Sequence, residues 1–421
     1  MYRDKVIIVS KKNELYSYFS KMCMNSKNLK NVTNFYIRQC MTGLKKSPEL
    51  RQPNETEVLH YVFTTISKLN DIRMNTYNKK VDKVKNNKEL DCLKQSKILE
   101  ELPSLFEYPS SSKWFISYNI LDGILKVNKN TDYLALPSQV NQAAIKEVYA
   151  SWKGYFNALK DYKRNPSKYT GKPKLPKYIK DPMSTCVFTN IVCKLGANEN
   201  GKTYLRFPLT NSKLWLGKYV NPEVKLKQVK VKPLHDRFEV HIILEEPDTS
   251  MEVKKPKNII ALDLGVDNIA TISNNIGLPP IVIKGNVLKS KNQWFNKKIA
   301  YYQSILMKVS GNTNYKTSKR IKSLYVKRHL FIKDYFHKIA LAIINYCLKN
   351  DIDTIVVGKN TGLKQSIDIG KANNQNILNI PHTILENNLK YLCEYNGLNY
   401  IEQEESYTSK ASFLDLDDIP I

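Results

Sequence analysis

The sequence runs to 421 residues, room for two or three domains each with a core of its own. Against 39 Asp and Glu it carries 66 Lys and Arg, a net charge of +27 that calls for an anionic partner, with nucleic acid the first candidate. No apolar run reaches the ~18 residues a membrane span needs, and MYRDKVIIVSKKNELYSYF lacks a signal-peptide cleavage pattern, so a cytoplasmic protein with no membrane partner is expected.

In chain order, YRDKVIIVSKK reads as a strand, and the apolar positions of KNELYSYFSKMCMNSKNLKNVTNFYIRQCMTGLKK and ETEVLHYVFTTISKLND recur at helical spacing. PSQVNQAAIKEVYASWKGYFNALKDYK predicts a further helix with Val140, Ala144, Val148, Trp152, Phe156 and Leu159 on one face, started at Pro137 and stopped at Pro166. YTGKPKLPKYIKDP is too rich in Pro and Lys for either regular element and reads as an extended linker. From Cys186 to Glu246 the pattern turns to strands, most cleanly in RFEVHIILEE, and predicts a small β-barrel that the first strand joins across the helical insertion. From about Pro256 onward come strand, strand, strand, helical stretches at Gln293 to Val309 and Lys316 to Lys349, the strand DTIVVGKN, a helix from Pro381 and the strand LNYIEQEES, an α/β order.

Charge is unevenly spread. Between Asn268 and Lys333 there are thirteen Lys or Arg and no Asp or Glu, a one-signed run that suits a phosphate backbone. A second basic cluster, Lys153 to Lys180, is interleaved with Tyr155, Phe156, Tyr162, Tyr169 and Tyr178, rings able to stack on exposed bases. The alternative, a composition that fills solvated surfaces with lysine, would leave Asp and Glu interspersed among the lysines.

Asp263 ends the apolar run IIALD and precedes a Gly, where a carboxylate can hold a hard divalent cation or merely cap a turn. Two-metal phosphodiester hydrolysis needs about three converging acids. The strand IDTIVVGKN, a natural source of the second, offers Gly358 and Lys359; Glu404 and Glu405 could substitute, since period-two geometry sends one of them inward. Asp415, Asp417 and Asp418 are the acids beyond them. The six histidines are isolated, with His337 expected on a helix face packed against the sheet, and the seven cysteines (Cys23, Cys40, Cys92, Cys186, Cys193, Cys347, Cys393) form no CxxC, so reduced thiols and no zinc are expected.

Several segments together resemble TnpB, the RNA-guided nuclease family of insertion-sequence transposons related to type V CRISPR effectors: SKNLKNVTNFYIRQ, LPSQVNQ, GKPKLPKY, ALDLGVDNIATIS, KDYFHKIA, DTIVVGKNTGLKQ and NNQNILNIPH. The resemblance implies an α/β multi-domain protein: a wedge β-barrel over 1–12 and 180–255, an inserted helical recognition domain with basic linker over 13–179, and an RNase H-like (RuvC) domain over 256–421. It matches Asp263 to the first catalytic acid and puts the family's second acid at Gly358, with Glu405, or failing that Glu404, as a relocated replacement. Active relatives continue into a zinc ribbon and a third RuvC motif, neither present here, so the chain is expected to resemble the nuclease-dead TnpB-like repressors.

On that reading Asp263 and Glu405 are vestigial, magnesium at them supports no catalysis, and binding needs no cofactor. The partners are a guide RNA of the omega-RNA kind and double-stranded DNA beside a short recognised motif, in a bacterial, nucleoid-associated setting. Nucleic-acid contacts are expected from Asn28, Asn34, Arg38, Gln39, Gln139, Lys172, Lys174, Lys177, Lys180, Arg320, Lys327, Arg328 and Lys364. A longer active nuclease and a guide-independent accessory DNA-binding protein remain the alternatives.

Overall fold

The computed structural model describes residues 2–85, 102–113, 116–217, 224–246, 255–311, 317–359 and 380–405. Lys364, Cys92 and Asp415, Asp417 and Asp418, with most of NNQNILNIPH and the chain past Glu405, lie outside them. The chain divides into two compact units, Tyr2–Glu246 and Pro247–Ile421.

In the first unit, β1 (Tyr2–Val9) leads into helices α1 (Leu15–Gly43), α2 (Pro53–Lys85), α3 (Tyr118–Val127), α4 (Thr131–Leu134) and α5 (Ser138–Arg164). The strands β2 (Cys186–Thr189), β3 (Lys194–Ala197), β4 (Thr203–Arg206), β5 (Lys213–Gly217), β6 (Lys225–Leu234) and β7 (Arg237–Glu245) follow. Helix α1 buries Leu15, Phe19, Met22, Ser26, Leu29, Thr33, Ile37 and Cys40, the stripe its periodicity predicts. Helix α5 begins after Pro137 and buries Val140, Ala144 and Trp152, and Asn165 and Pro166 end it.

Where one small barrel was expected, the described strands form two sheets, β1-β7-β6-β2 and β3-β4-β5. The first strand does join the late ones: β1 pairs antiparallel along the whole length of β7, from Tyr2 opposite Glu245 to Val9 opposite Phe238. Phe238, Val240 and Ile242 of β7 share a continuous core with Phe19 of α1, Trp152 of α5 and Leu205 of β4. Helices and sheets of this unit therefore stabilise each other as one body, because neither sheet nor helix face can be dried by its own kind alone.

The second unit orders its strands β8 (Ile259–Asp263), β9 (Asn268–Asn274), β10 (Ile281–Lys284), β11 (Thr354–Lys359) and β12 (Asn399–Glu404) as β10-β9-β8-β11-β12. The first three are antiparallel meander strands; β11 and β12 are parallel to β8, reached by crossovers through helices α7 (Lys319–Lys349) and α8 (His382–Asn396), with α6 (Asn286–Ser310) preceding α7. Ile332, Phe336, Ile339 and Ile343 of α7 face the core, whereas His337 is exposed, a correction to its expected packing: it lies one step, about 100°, off that stripe. Phe295 and Ile299 of α6 pack on Ile321 of α7 in a satellite cluster.

Candidate functional site

Strand β8 is central, and its alternation sends Ile260 and Leu262 into the core while Ala261 and Asp263 face out at the strand's carboxyl end. Gly265 lets the chain turn straight back into β9, since an added Cβ there would lie 2.8 Å from the Asn268 carbonyl oxygen. His382 Nε2, at the start of α8, hydrogen-bonds the Gly265 carbonyl oxygen at 2.9 Å and ties this turn to the helix. Sequence reasoning classed His382 as isolated; a contact across 117 residues leaves no local signal.

The parallel neighbour β11 places Val357 beside Leu262, which puts Gly358 level with Asp263 on the same face. Gly358 in turn pairs with Gln403 of β12, and Glu405, two residues on, returns to that face; its N–H donates to the Lys359 carbonyl at 3.3 Å. Glu404 is paired with Lys359 and belongs to the opposite face. A Cβ built on Gly358 would collide with Glu405 Oε2 and stand 3.1 Å from its Cδ, so the Glu405 carboxylate occupies the volume a side chain at 358 would need. An aspartate at 358 and Glu405 in its present position exclude each other.

Burial first, then the charges of Asp263 and Glu404, push the Glu405 carboxyl up from its ordinary range. Like charges held together with hard oxygen donors suit a magnesium-type cation, and Asp263 and Glu405 are the residues that would hold one. Among the described residues no group of three or more His, Cys, Asp or Glu converges on one point. On the opposite face of the same two strands, Lys359 Nζ and Glu402 Oε2 form an ion pair at 2.5 Å.

The expected nucleic-acid residues separate into exposed and internally engaged sets. Lys172, Lys174, Lys177, Lys180, Arg320 and Lys327 are exposed, while Asn28, Gln39 and Gln139 are half-buried. Asn34, buried in α1, donates to the Pro176 carbonyl at 3.3 Å and accepts the Trp152 indole N–H at 3.0 Å. Arg38 donates to the same carbonyl and lies 4.9 Å from the Tyr178 ring centre. These two therefore seat the basic linker on α1 and fix where its lysines point. Arg328 donates to Asn292 Oδ1 at 2.8 Å and stacks 5.2 Å over Phe295, joining α7 to α6. Along those helices Lys297, Lys298, Lys308, Lys319 and Lys322 are exposed, and Trp294, 45% exposed, carries Lys291 at 5.0 Å from its ring.

Residues 241–364 hold Asp263, both basic helices and Gly358. That stretch matches the OrfB_IS605 family, described as a probable transposase. No curated protein matches the chain. Among solved structures, the chain is similar to one in a cryo-EM structure of a Cas12f1–sgRNA–target DNA complex, at 12% identity over 97% of this chain and 91% of that one, with a TM-score of 0.44. A CRISPR–Cas12f ternary complex holds another, at 12% identity over 91% and 73%, TM-score 0.29. No described helix is long and apolar enough to cross a membrane.

Proposed function

We propose that the chain is a TnpB-like, transposon-derived protein that binds a guide RNA and, through it, target DNA, and that it represses transcription by occupying that DNA without cutting it. The observation that carries the reading is the face shared by Asp263, Gly358 and Glu405: a carboxylate pair at the strand ends of an antiparallel-then-parallel sheet, with Asp263 and Gly358 inside the segment matching a transposase family and Glu405 beyond it. A mixed sheet in the order β10-β9-β8-β11-β12 with a carboxylate ending its central strand suits the RNase H-like domain and first acid that the resemblance implies.

A divalent ion at Asp263 and Glu405 would polarise a phosphodiester oxygen. Among the described residues two acids share this face, short of the about three that two-metal hydrolysis uses, and the position beside Asp263 is a glycine whose space Glu405 takes. Binding has other supports. The exposed lysines of α6, α7 and the linker neutralise phosphates whatever the sequence, while base pairing by the guide supplies sequence choice. The DNA-bound complex then stands in the way of RNA polymerase.

A second reading, an active nuclease with Glu405 as relocated acid, is favoured by the contact of Glu405 with Gly358. The test isolates the protein with co-purifying RNA and assays binding and magnesium-dependent cleavage of a matched plasmid. Guide-dependent binding without cutting, unchanged in Asp263→Ala, is the expected result. Specific cutting abolished by Asp263→Ala would establish the second reading, and site-specific binding by RNA-free protein would establish a guide-independent DNA-binding factor.

A further inference from the structure

The outer face of β3-β4-β5 plays no part in the reading above. Leu195, Leu205 and Leu214 stand opposite one another and join the core, which turns their neighbours outward in two rows. One row is Gly196, Tyr204 and Trp215; the next is Lys194, Arg206 and Lys213. Lys194, Arg206, Lys213 and Trp215 are exposed, Trp215 by 50%, against 0% for Trp152 in the core.

Each row has a physical oddity. Like charges directly opposite on adjacent strands repel, and here three cations line up across three strands that carry no Asp or Glu at all. Glu199, the one acid between Lys194 and Gly217, sits in the β3–β4 turn, at the end of the hairpin away from the cationic row. In the other row Gly196 has no side chain, and its ideal Cβ would lie 3.0 Å from Tyr204 Cε2, so the Tyr204 ring lies down over β3. Trp215 packs edge-on against it at 5.2 Å and 69°, which fixes the indole while leaving half of it to solvent. Lys213 Nζ is 4.5 Å from the Tyr204 ring centre and Arg206 Cζ 5.3 Å, and Arg206 donates to the Tyr204 hydroxyl at 2.8 Å. Those contacts orient the cations without neutralising them.

A rigid, half-open indole beside three aligned cations, two of them held by the Tyr204 ring, is complementary to an unpaired base flanked by its phosphates. We propose that this face is a stacking platform for an unpaired segment of single-stranded RNA, with Trp215 under a base and Lys194, Arg206 and Lys213 on the phosphates. The assignment to RNA rests on the guide-RNA reading above; the stacking geometry does not.

The test measures binding of the full chain to labelled polyuridine RNA of about 20 nucleotides, enough to fill one platform. Trp215→Ala weakens binding about tenfold, Trp215→Phe restores most of it, and neither moves the thermal unfolding midpoint enough to account for the loss. Arg206→Gln with Lys213→Gln lowers the slope of log affinity against log salt by about 1.4, two single-strand phosphate contacts. Equal RNA affinity for wild type and Trp215→Ala overturns the platform and leaves the guide reading standing. No RNA binding by the wild type overturns both. An equal loss on double-stranded RNA, which has no free base, overturns stacking, and a loss confined to single-stranded DNA overturns the assignment to RNA.

Discussion

Two carboxylates in two parts of the molecule meet opposite environments. Glu55, buried at the junction of α1 and α2, accepts Lys46 Nζ at 2.9 Å on both oxygens and the Gln52 N–H at 2.8 Å. Burial works against its charge, but hydrogen bonds from Thr42, Lys46 and the Gln52 N–H outweigh it and pull the carboxyl down to about 2. Glu405, also partly buried, has acids as the charged groups that shift it, Asp263 and Glu404, and is pushed the other way. The difference lies in the neighbours: an ammonium and hydrogen-bond donors offset burial at Glu55, while like charges add to it at Glu405.

That contrast is broken or sharpened by substitutions of decreasing effect. Glu55→Ala, which strands a half-buried ammonium and a backbone donor, lowers unfolding free energy by about 3 kcal/mol in denaturant titration. Gly358→Asp swings the flexible end of Glu405 aside and crowds a third carboxylate beside Asp263, lowering unfolding free energy by about 1 kcal/mol, and pairing it with Glu405→Gly recovers most of that loss; simple additivity of the two would show that the residues do not share one space. Glu405→Gln, measured in chelator, raises stability by about 0.5 kcal/mol, and a loss as large as that of Glu55→Ala would erase the distinction between the two sites.

The same contrast can be followed in pH. Because the folded value of Glu55 lies below its ordinary 4.5, its contribution is complete above that value and disappears as pH falls through about 2. His241 behaves inversely. A hydrogen bond to Asp4, at 2.7 Å, and the Glu239 carboxylate 3.8 Å away raise it to about 9, so its contribution is complete below 6.5 and is lost as pH rises through 9. Thermal unfolding of His241→Asn against wild type from pH 6 to pH 10 should converge at the alkaline end.

Much of the fold was legible because its causes are local. The apolar stripes of α1 and α5, Pro137 before α5 and Pro166 after it, the alternation of β7 and the apolar run ending at Asp263 are all set by spacing along the chain. His337 was misplaced because one position on a helix turns the side chain about 100°, a step that composition does not resolve. Asn34, Arg38 and Arg328 carry the residue types of a nucleic-acid surface, yet two of them hold the linker and one joins two helices. Residue type does not say whether a donor's partner comes from the same chain.

By itself the sequence determined the excess of positive charge, the α/β order of the second unit, a strand-end aspartate, and the Gly358 and Lys359 that stand where a second acid would be sought. Only the tertiary structure decided that Glu405, not Glu404, shares the face of Asp263, that its carboxylate fills the space above Gly358, and that Trp215 stands exposed beside three aligned cations. The reason is register: a strand's own pattern fixes which residues alternate, and only its hydrogen-bonded partner fixes which of them stand together.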